Sequence, residues 1–133
     1  MARSASLKSV LTSALMAAVV TAAPLAQARG PMDGARNGMA TVHVTELPRP
    51  GREVYELIRL GGPFPYDKDG TVFGNRERLL PIEKRGYYRE YTVATPGSRD
   101  RGARRIVCGG PSRTPHACFY TADHYASFRQ IVE

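Results

Sequence analysis

Tyr87-Tyr88-Arg89-Glu90-Tyr91-Thr92-Val93 is the run whose reading decides the fold. Aromatic and β-branched residues dominate it, and it holds no glycine or proline, so it predicts a strand long enough to cross a sheet. A period of two sets Glu90 on one face, with Tyr91 and Val93 on the other. Similar runs follow at Arg104–Cys108, Phe119–Thr121 and Phe128–Val132, with Thr95-Pro96-Gly97 and Gly109-Gly110-Pro111 as turns. In the first of these, Arg105 and Val107 share one face while Ile106 and Cys108 take the other.

Working upstream, Val54, Leu57 and Ile58 recur at helical spacing within Arg52–Leu60, with Pro50 just ahead and Gly61-Gly62 as a stop. The apolar stripe of this helix needs a sheet to cover. Thr41–Val44 reads as a brief strand. Gly61 to Gly74 reads as loop, because Pro63 and Pro65 bracket Phe64 and Asp67-Lys68-Asp69-Gly70 spells a turn. That last string has the start of a calcium loop but neither its downstream ligands nor its closing Glu. One helix followed by hairpin-linked strands predicts an α+β domain, an N-terminal helix packed on a twisted antiparallel sheet. If the helix covers Tyr91, Val93, Ile106 and Cys108, then Glu90 and Arg105 meet on the uncovered face.

The first residues read as an export signal rather than as part of the fold. Arg3 and Lys8 supply the positive start, Val10 to Val20 a short apolar run, and Ala26-Gln27-Ala28 a cleavage site before Arg29. The apolar run is too short to predict a membrane span. Residues 29–40 carry glycines without apolar periodicity and read as a flexible arm, which leaves one domain over residues 41–133. The 133 residues hold 19 basic and 12 acidic side chains, mostly Arg among the former, for a net charge of +7. Arg can grip a phosphate through two parallel hydrogen bonds, so the balance favours an anionic partner. Export permits a disulfide between Cys108 and Cys118, although spacing does not say whether their side chains face each other.

Glu90, Arg105 and His124 supply a carboxylate, a fixed cation and an imidazole. A metal-free phosphodiester transfer needs those three groups: a base for the attacking hydroxyl, a charge on the phosphate and an acid for the leaving oxygen. Other chemistries fit less well. The chain has no Gly-x-Ser-x-Gly elbow and no phosphate-cradling glycine loop, and His43, His116 and His124 are too scattered for a metal motif.

Several strings together resemble a known family. They are Gly62-Pro63-Phe64-Pro65-Tyr66, Val72-Phe73-Gly74-Asn75-Arg76-Glu77, Gly86-Tyr87-Tyr88, Glu90-Tyr91-Thr92-Val93, Thr95-Pro96-Gly97, Arg104-Arg105-Ile106-Val107-Cys108-Gly109 and Asp123-His124-Tyr125-Ala126-Ser127-Phe128. From about Thr41 to Ile131 the chain resembles the secreted bacterial guanyl-specific ribonucleases, of the barnase-like kind and nearest the Sa type. The resemblance implies the microbial ribonuclease fold and cleavage of single-stranded RNA after guanosine through a 2′,3′-cyclic phosphate, without metal or cofactor.

By the same resemblance, Glu90 matches the general base, His124 the general acid, Arg105 and Arg101 the arginines on the scissile phosphate, and Tyr125 the tyrosine beside it. Phe73, Gly74, Asn75, Arg76 and Glu77 match the guanine pocket. There a buried Glu77 carboxylate would accept from the base N1–H and N2–H, backbone amides near Asn75 and Arg76 would donate to O6, and Phe73 would stack on the ring. Adenine has no N1 proton, so Glu77 facing it would be left unpaired at a cost of kilocalories. With an ordinary carboxyl near ~4.3 and an ordinary imidazole near ~6.5, an ionised base and a protonated acid coexist in mild acid, which predicts a bell-shaped pH profile.

Three departures from the Sa type stand out. His43 and Glu133 occupy the places where that type joins its ends by a disulfide, so a Cys108–Cys118 bridge would be a local substitute. Gly74 replaces a larger polar residue, and the segment Pro111–Ala117 is longer. A monomer is expected, with an acidic, barstar-like protein inhibitor as a possible partner. The rival reading is an exported basic module that binds RNA or other polyanions without cutting them.

Overall fold

The structure, a computed structural model, describes residues 38–133. The export signal expected over residues 1–28 and most of the expected arm lie outside the described residues. Of the arm's last residues, Met39 packs against buried side chains and the Ala40 carbonyl accepts from Gln130 N at 2.9 Å.

Among the described residues, one helix and six strands form the expected α+β architecture. In chain order they are β1 (Thr41–His43), α1 (Arg49–Leu60), β2 (Thr71–Phe73), β3 (Tyr88–Thr92), β4 (Arg105–Gly109), β5 (Ala117–Thr121) and β6 (Arg129–Val132), with a 3-10 turn at Val44–Glu46. The strands lie side by side as β1-β6-β5-β4-β3-β2. Helix α1 begins at Arg49, three residues before the expected start, because Pro50 falls in the first turn, where no backbone donor is needed. It ends at Gly61, whose φ of 83° lets its N–H turn back onto the Leu57 carbonyl.

Val54 and Ile58 project from α1 into a core with Val42, Leu47, Tyr91, Val93, Ile106, Cys108, Cys118, Tyr120 and Ile131. Complete burial of each such aliphatic side chain contributes about 1.5–3 kcal/mol. Gly51 is also buried, with Val93 close enough that only a small side chain fits between helix and sheet. The face expected under the helix is therefore the one it covers. Cys108 and Cys118 are directly opposed on β4 and β5 with Cα atoms 4.1 Å apart, and they form a disulfide.

Three expectations need correction. Thr71–Phe73, read as loop, is an edge strand on β3, with Thr71 opposite Glu90 and Phe73 opposite Tyr88. A three-residue strand between Gly70 and Gly74 has too little period to read; pairing with β3 makes it. The sheet is not wholly antiparallel, since β1 pairs with β6 in parallel, Val42 opposite Ile131. That pairing joins Thr41–His43 to the last strand where the Sa type was expected to use a disulfide, and an ion pair between Arg59 of α1 and Glu133 adds to it. The face opposite the helix is not uncovered either. Leu80, Tyr88, Val107, Phe119 and Phe128 form a second buried cluster there, with Phe73 and Tyr125 packed against it.

Candidate active site

On that second face the sheet opens into a cleft of about 690 Å³. Phe73 to Glu77 line one side; Glu90 from β3 and His124, Tyr125 and Phe128 from the β5–β6 connection line the other. The expected guanine loop and the expected base and acid thus share one concavity. Arg101 and Arg105 do not line it.

Glu90 is nearly buried, its side chain 14 % exposed. Tyr125 O–H donates to Oε2, Arg101 Nη2 lies 3.5 Å from Oε1, and Thr71 Oγ1 is also 3.5 Å away. Arg101 is held by Thr92, whose Oγ1 accepts from its Nε at 3.1 Å and Nη2 at 2.9 Å. Register explains why Glu90 pairs with Arg101 and not with Arg105, as the alternation alone implied: Glu90 faces Val107, and Arg105 sits two pairs further along, opposite Thr92.

Arg105 is 3 % exposed. Its Nη1 donates to the carbonyls of Arg104 at 2.7 Å and Gly102 at 3.0 Å, while its buried Nε has no partner among the described residues. A buried guanidinium donor without an acceptor is expensive, and it marks a place where an anion would be welcome. Burial, and then the Glu90 carboxylate, push the Tyr125 phenol up to about 12, against the pull of Arg105. The phenol therefore stays protonated and able to donate at neutral pH.

His124 is exposed and takes a left-handed backbone, φ 53°, as does Tyr125 at 70°. Non-glycine residues adopt this region only when the surroundings enforce it. Here Asp123 does so. Its Oδ1 accepts from Ser127 N at 2.9 Å and from Thr121 Oγ1 at 2.8 Å, its Oδ2 accepts from Ser127 Oγ, and His124 N donates to Ala103 O at 2.9 Å. These bonds, the Ser127 hydroxyl first, hold the Asp123 carboxyl below its ordinary value. Sequence reading assigned no role to Asp123, Thr121 or Thr92; an Asp four residues before Ser127 was the available sign of a side-chain-capped turn.

On the guanine-loop side, Asn75 has φ 49° and its side chain is spent on the loop. Nδ2 donates to Leu80 O at 3.0 Å and Oδ1 accepts from Leu80 N at 3.2 Å. Glu77, expected to be buried, is exposed in the cleft, so only a ligand could bury it. Phe73 stacks on Tyr125, ring centroids 5.0 Å apart at 30°, and both rings pack on Phe128. Gly74 has room for a larger side chain, the nearest atom to an added Cβ being Arg76 Cγ at 3.7 Å. Among the described residues, no three His, Cys, Asp or Glu side chains gather as a metal ion would need.

A family model described as ribonuclease matches residues 30–132. The chain belongs to that ribonuclease family. Among its relatives, guanyl-specific ribonuclease St of Saccharopolyspora erythraea is 52 % identical over 99 residues, 74 % of this chain and 94 % of that protein. Guanyl-specific ribonuclease Sa of Kitasatospora aureofaciens is 50 % identical over 91 residues, covering 68 % and 92 %. A structure of ribonuclease Sa2 complexed with mononucleotides superposes with a TM-score of 0.67 at 46 % identity, covering 71 % of this chain and 95 % of that one. A second Sa2 structure, with guanosine-2′-cyclophosphate, gives 0.64 at 46 % identity over 71 % and 96 %. This ribonuclease accordingly shares its α+β sheet with ribonuclease Sa2, a protein seen in complex with mononucleotides.

Proposed function

We propose that this ribonuclease is an exported, monomeric endoribonuclease that cuts single-stranded RNA on the 3′ side of guanosine. The observation that carries the reading is the single cleft in which Glu90 and His124 stand beside the Phe73–Glu77 loop. Glu90 takes the proton from the ribose 2′-hydroxyl, whose oxygen attacks phosphorus. The P–O5′ bond breaks as His124 protonates the departing oxygen, leaving a 2′,3′-cyclic phosphate. In the second step water replaces the leaving group, and the two residues exchange roles to give the 3′-phosphate.

Arg101, beside the Glu90 carboxylate, and Arg105, with its unpartnered Nε, offer charge where the phosphorane builds it up. Arg105 is buried beside Tyr125, so a phosphate reaches it when the Tyr125 hydroxyl leaves Glu90 for a phosphate oxygen. Glu77 and the loop amides select guanine, and aromatic stacking adds roughly 1–3 kcal/mol whichever base enters.

Cleavage of GpC and ApC in the presence of chelator tests the reading. GpC should be cut far faster than ApC, and Glu90→Gln or His124→Ala should lower kcat by about 10²–10⁴-fold. Cleavage of neither dinucleotide would leave only the polyanion-binding module, and equal cleavage of both would remove the guanine assignment. An exported nuclease with a basic cleft also suits an acidic protein inhibitor in the producing cell, steered by charge. Pull-down from producer extract checks that partner: an acidic protein that blocks GpC cleavage is expected, and its absence from the eluate would count against it.

A further inference from the structure

The Val72–Arg76 segment is a wall with a cleft on each side. Behind it, away from Glu90 and His124, lies a second cleft of about 580 Å³ lined by Val72–Arg76, Glu83–Gly86 and Tyr88. Arg76, Lys84 and Arg85 are exposed there, facing one carboxylate, Glu83, and none of the three cations is within salt-bridge distance of a carboxylate among the described residues. The walls are tied rather than loose. Asn75 Nδ2 bonds the Leu80 carbonyl at 3.0 Å, Tyr88 O–H donates to Pro81 O at 2.5 Å, and Tyr87 N closes the basic turn onto Lys84 O at 3.1 Å. Three unpaired cations around a held concavity attract a phosphodiester anion.

We infer that this second cleft binds the RNA strand on the 5′ side of the cleaved guanosine, through its phosphates. The inference rests on the proposed placement of guanine against Phe73–Glu77. With the scissile phosphate at the Glu90–His124 end, the 3′ continuation leaves with the departing O5′ on that side. The cleft behind the loop holds none of the reacting groups, and only the 5′ continuation of the guanosine can cross the wall into it. The enzyme is thus built for a polymer, and a dinucleotide leaves this second cleft unused.

The test compares kcat/KM on GpC, on ApApGpC and on GpCpA, for the wild type and for the double variant K84A/R85A, which touches neither the guanine loop nor the reacting groups. The upstream extension should raise kcat/KM of the wild type by about tenfold or more, and K84A/R85A should abolish most of that gain while leaving GpC cleavage within about twofold. With two strand phosphates held, the gain should shrink roughly sevenfold between about 50 and about 200 mM salt. Unchanged GpC turnover also shows that the variant folds. No gain on ApApGpC, or a gain that survives K84A/R85A, would overturn the inference while leaving guanine-specific cleavage intact. So would a variant effect confined to GpCpA. Failure of the wild type to cut GpC at all would instead remove the function it rests on.

Discussion

At the residue scale, the cleft separates groups that react from groups that aim them. Glu77 is exposed and its side chain makes no hydrogen bond among the described residues, so its replacement should leave the fold alone. Glu77→Ala is expected to lower the GpC-to-ApC ratio by about 10²-fold or more, because the loss falls on the base that uses the carboxylate. Dinucleotide kinetics beside a melting curve check this; an unchanged ratio would take Glu77 out of base selection. Asp123 works differently, since it touches no substrate in the proposed mechanism and only fixes the turn that presents His124. Asp123→Ala should lower kcat/KM on GpC by about 10- to 100-fold through a misplaced imidazole. A rate at the wild-type level would mean that the turn holds its shape without that carboxylate.

At the element scale, the site depends on where strands end. β2 brings Phe73 level with Tyr88 and Thr71 level with Glu90, and β4 starts with Arg105 two pairs beyond Glu90. The loop from Thr95 to Gly102 carries Arg101, and Asp100 holds it by accepting from Ser98 Oγ at 2.7 Å and Gly102 N at 2.8 Å. The β4–β5 hairpin is braced at its far end by the disulfide, away from the cleft. Its reduction is expected to cost on the order of 2–3 kcal/mol through the small loop it closes. For a domain of this size that is roughly 10 °C or more in melting temperature. Calorimetry with and without reductant measures it, and an unshifted transition would mean that the sheet alone sets the stability of the hairpin.

At the scale of the whole molecule, pH acts from both sides. Hydrogen bonds, from the Ser98 hydroxyl for Asp100 and the Ser127 hydroxyl for Asp123, hold both carboxyls below their ordinary value of 3.8. Depressed carboxyls contribute stability that is present above that ordinary value and lost as pH falls through the folded one, so both site loops should loosen in strong acid. On the alkaline side, burial pushes Tyr88 and Tyr125 from 10.0 up to about 12. A raised phenol contributes stability that is intact below the unfolded value and lost as pH rises toward the folded one, so unfolding should set in between 10.0 and about 12. Between these limits the rate on GpC should trace a bell. Melting curves and rates across the range would test both, and a rate flat from about pH 4 to about pH 9 would contradict a carboxylate–imidazole pair.

The helix, strands β3 to β6, the face α1 covers and the types of side chain that a phosphodiester transfer needs were legible in the sequence. Each follows from local periodicity, turn residues or side-chain type, which neighbours in the chain express by themselves. What only the tertiary structure decided concerns partners far apart in sequence: the β2 edge strand, the parallel pairing of β1 with β6, and Arg101 rather than Arg105 beside Glu90. The cover that Phe73 and Tyr125 give the second face belongs with them. Register between strands and the closure of loops over a sheet are set by packing across the fold, and no stretch of chain carries that information alone.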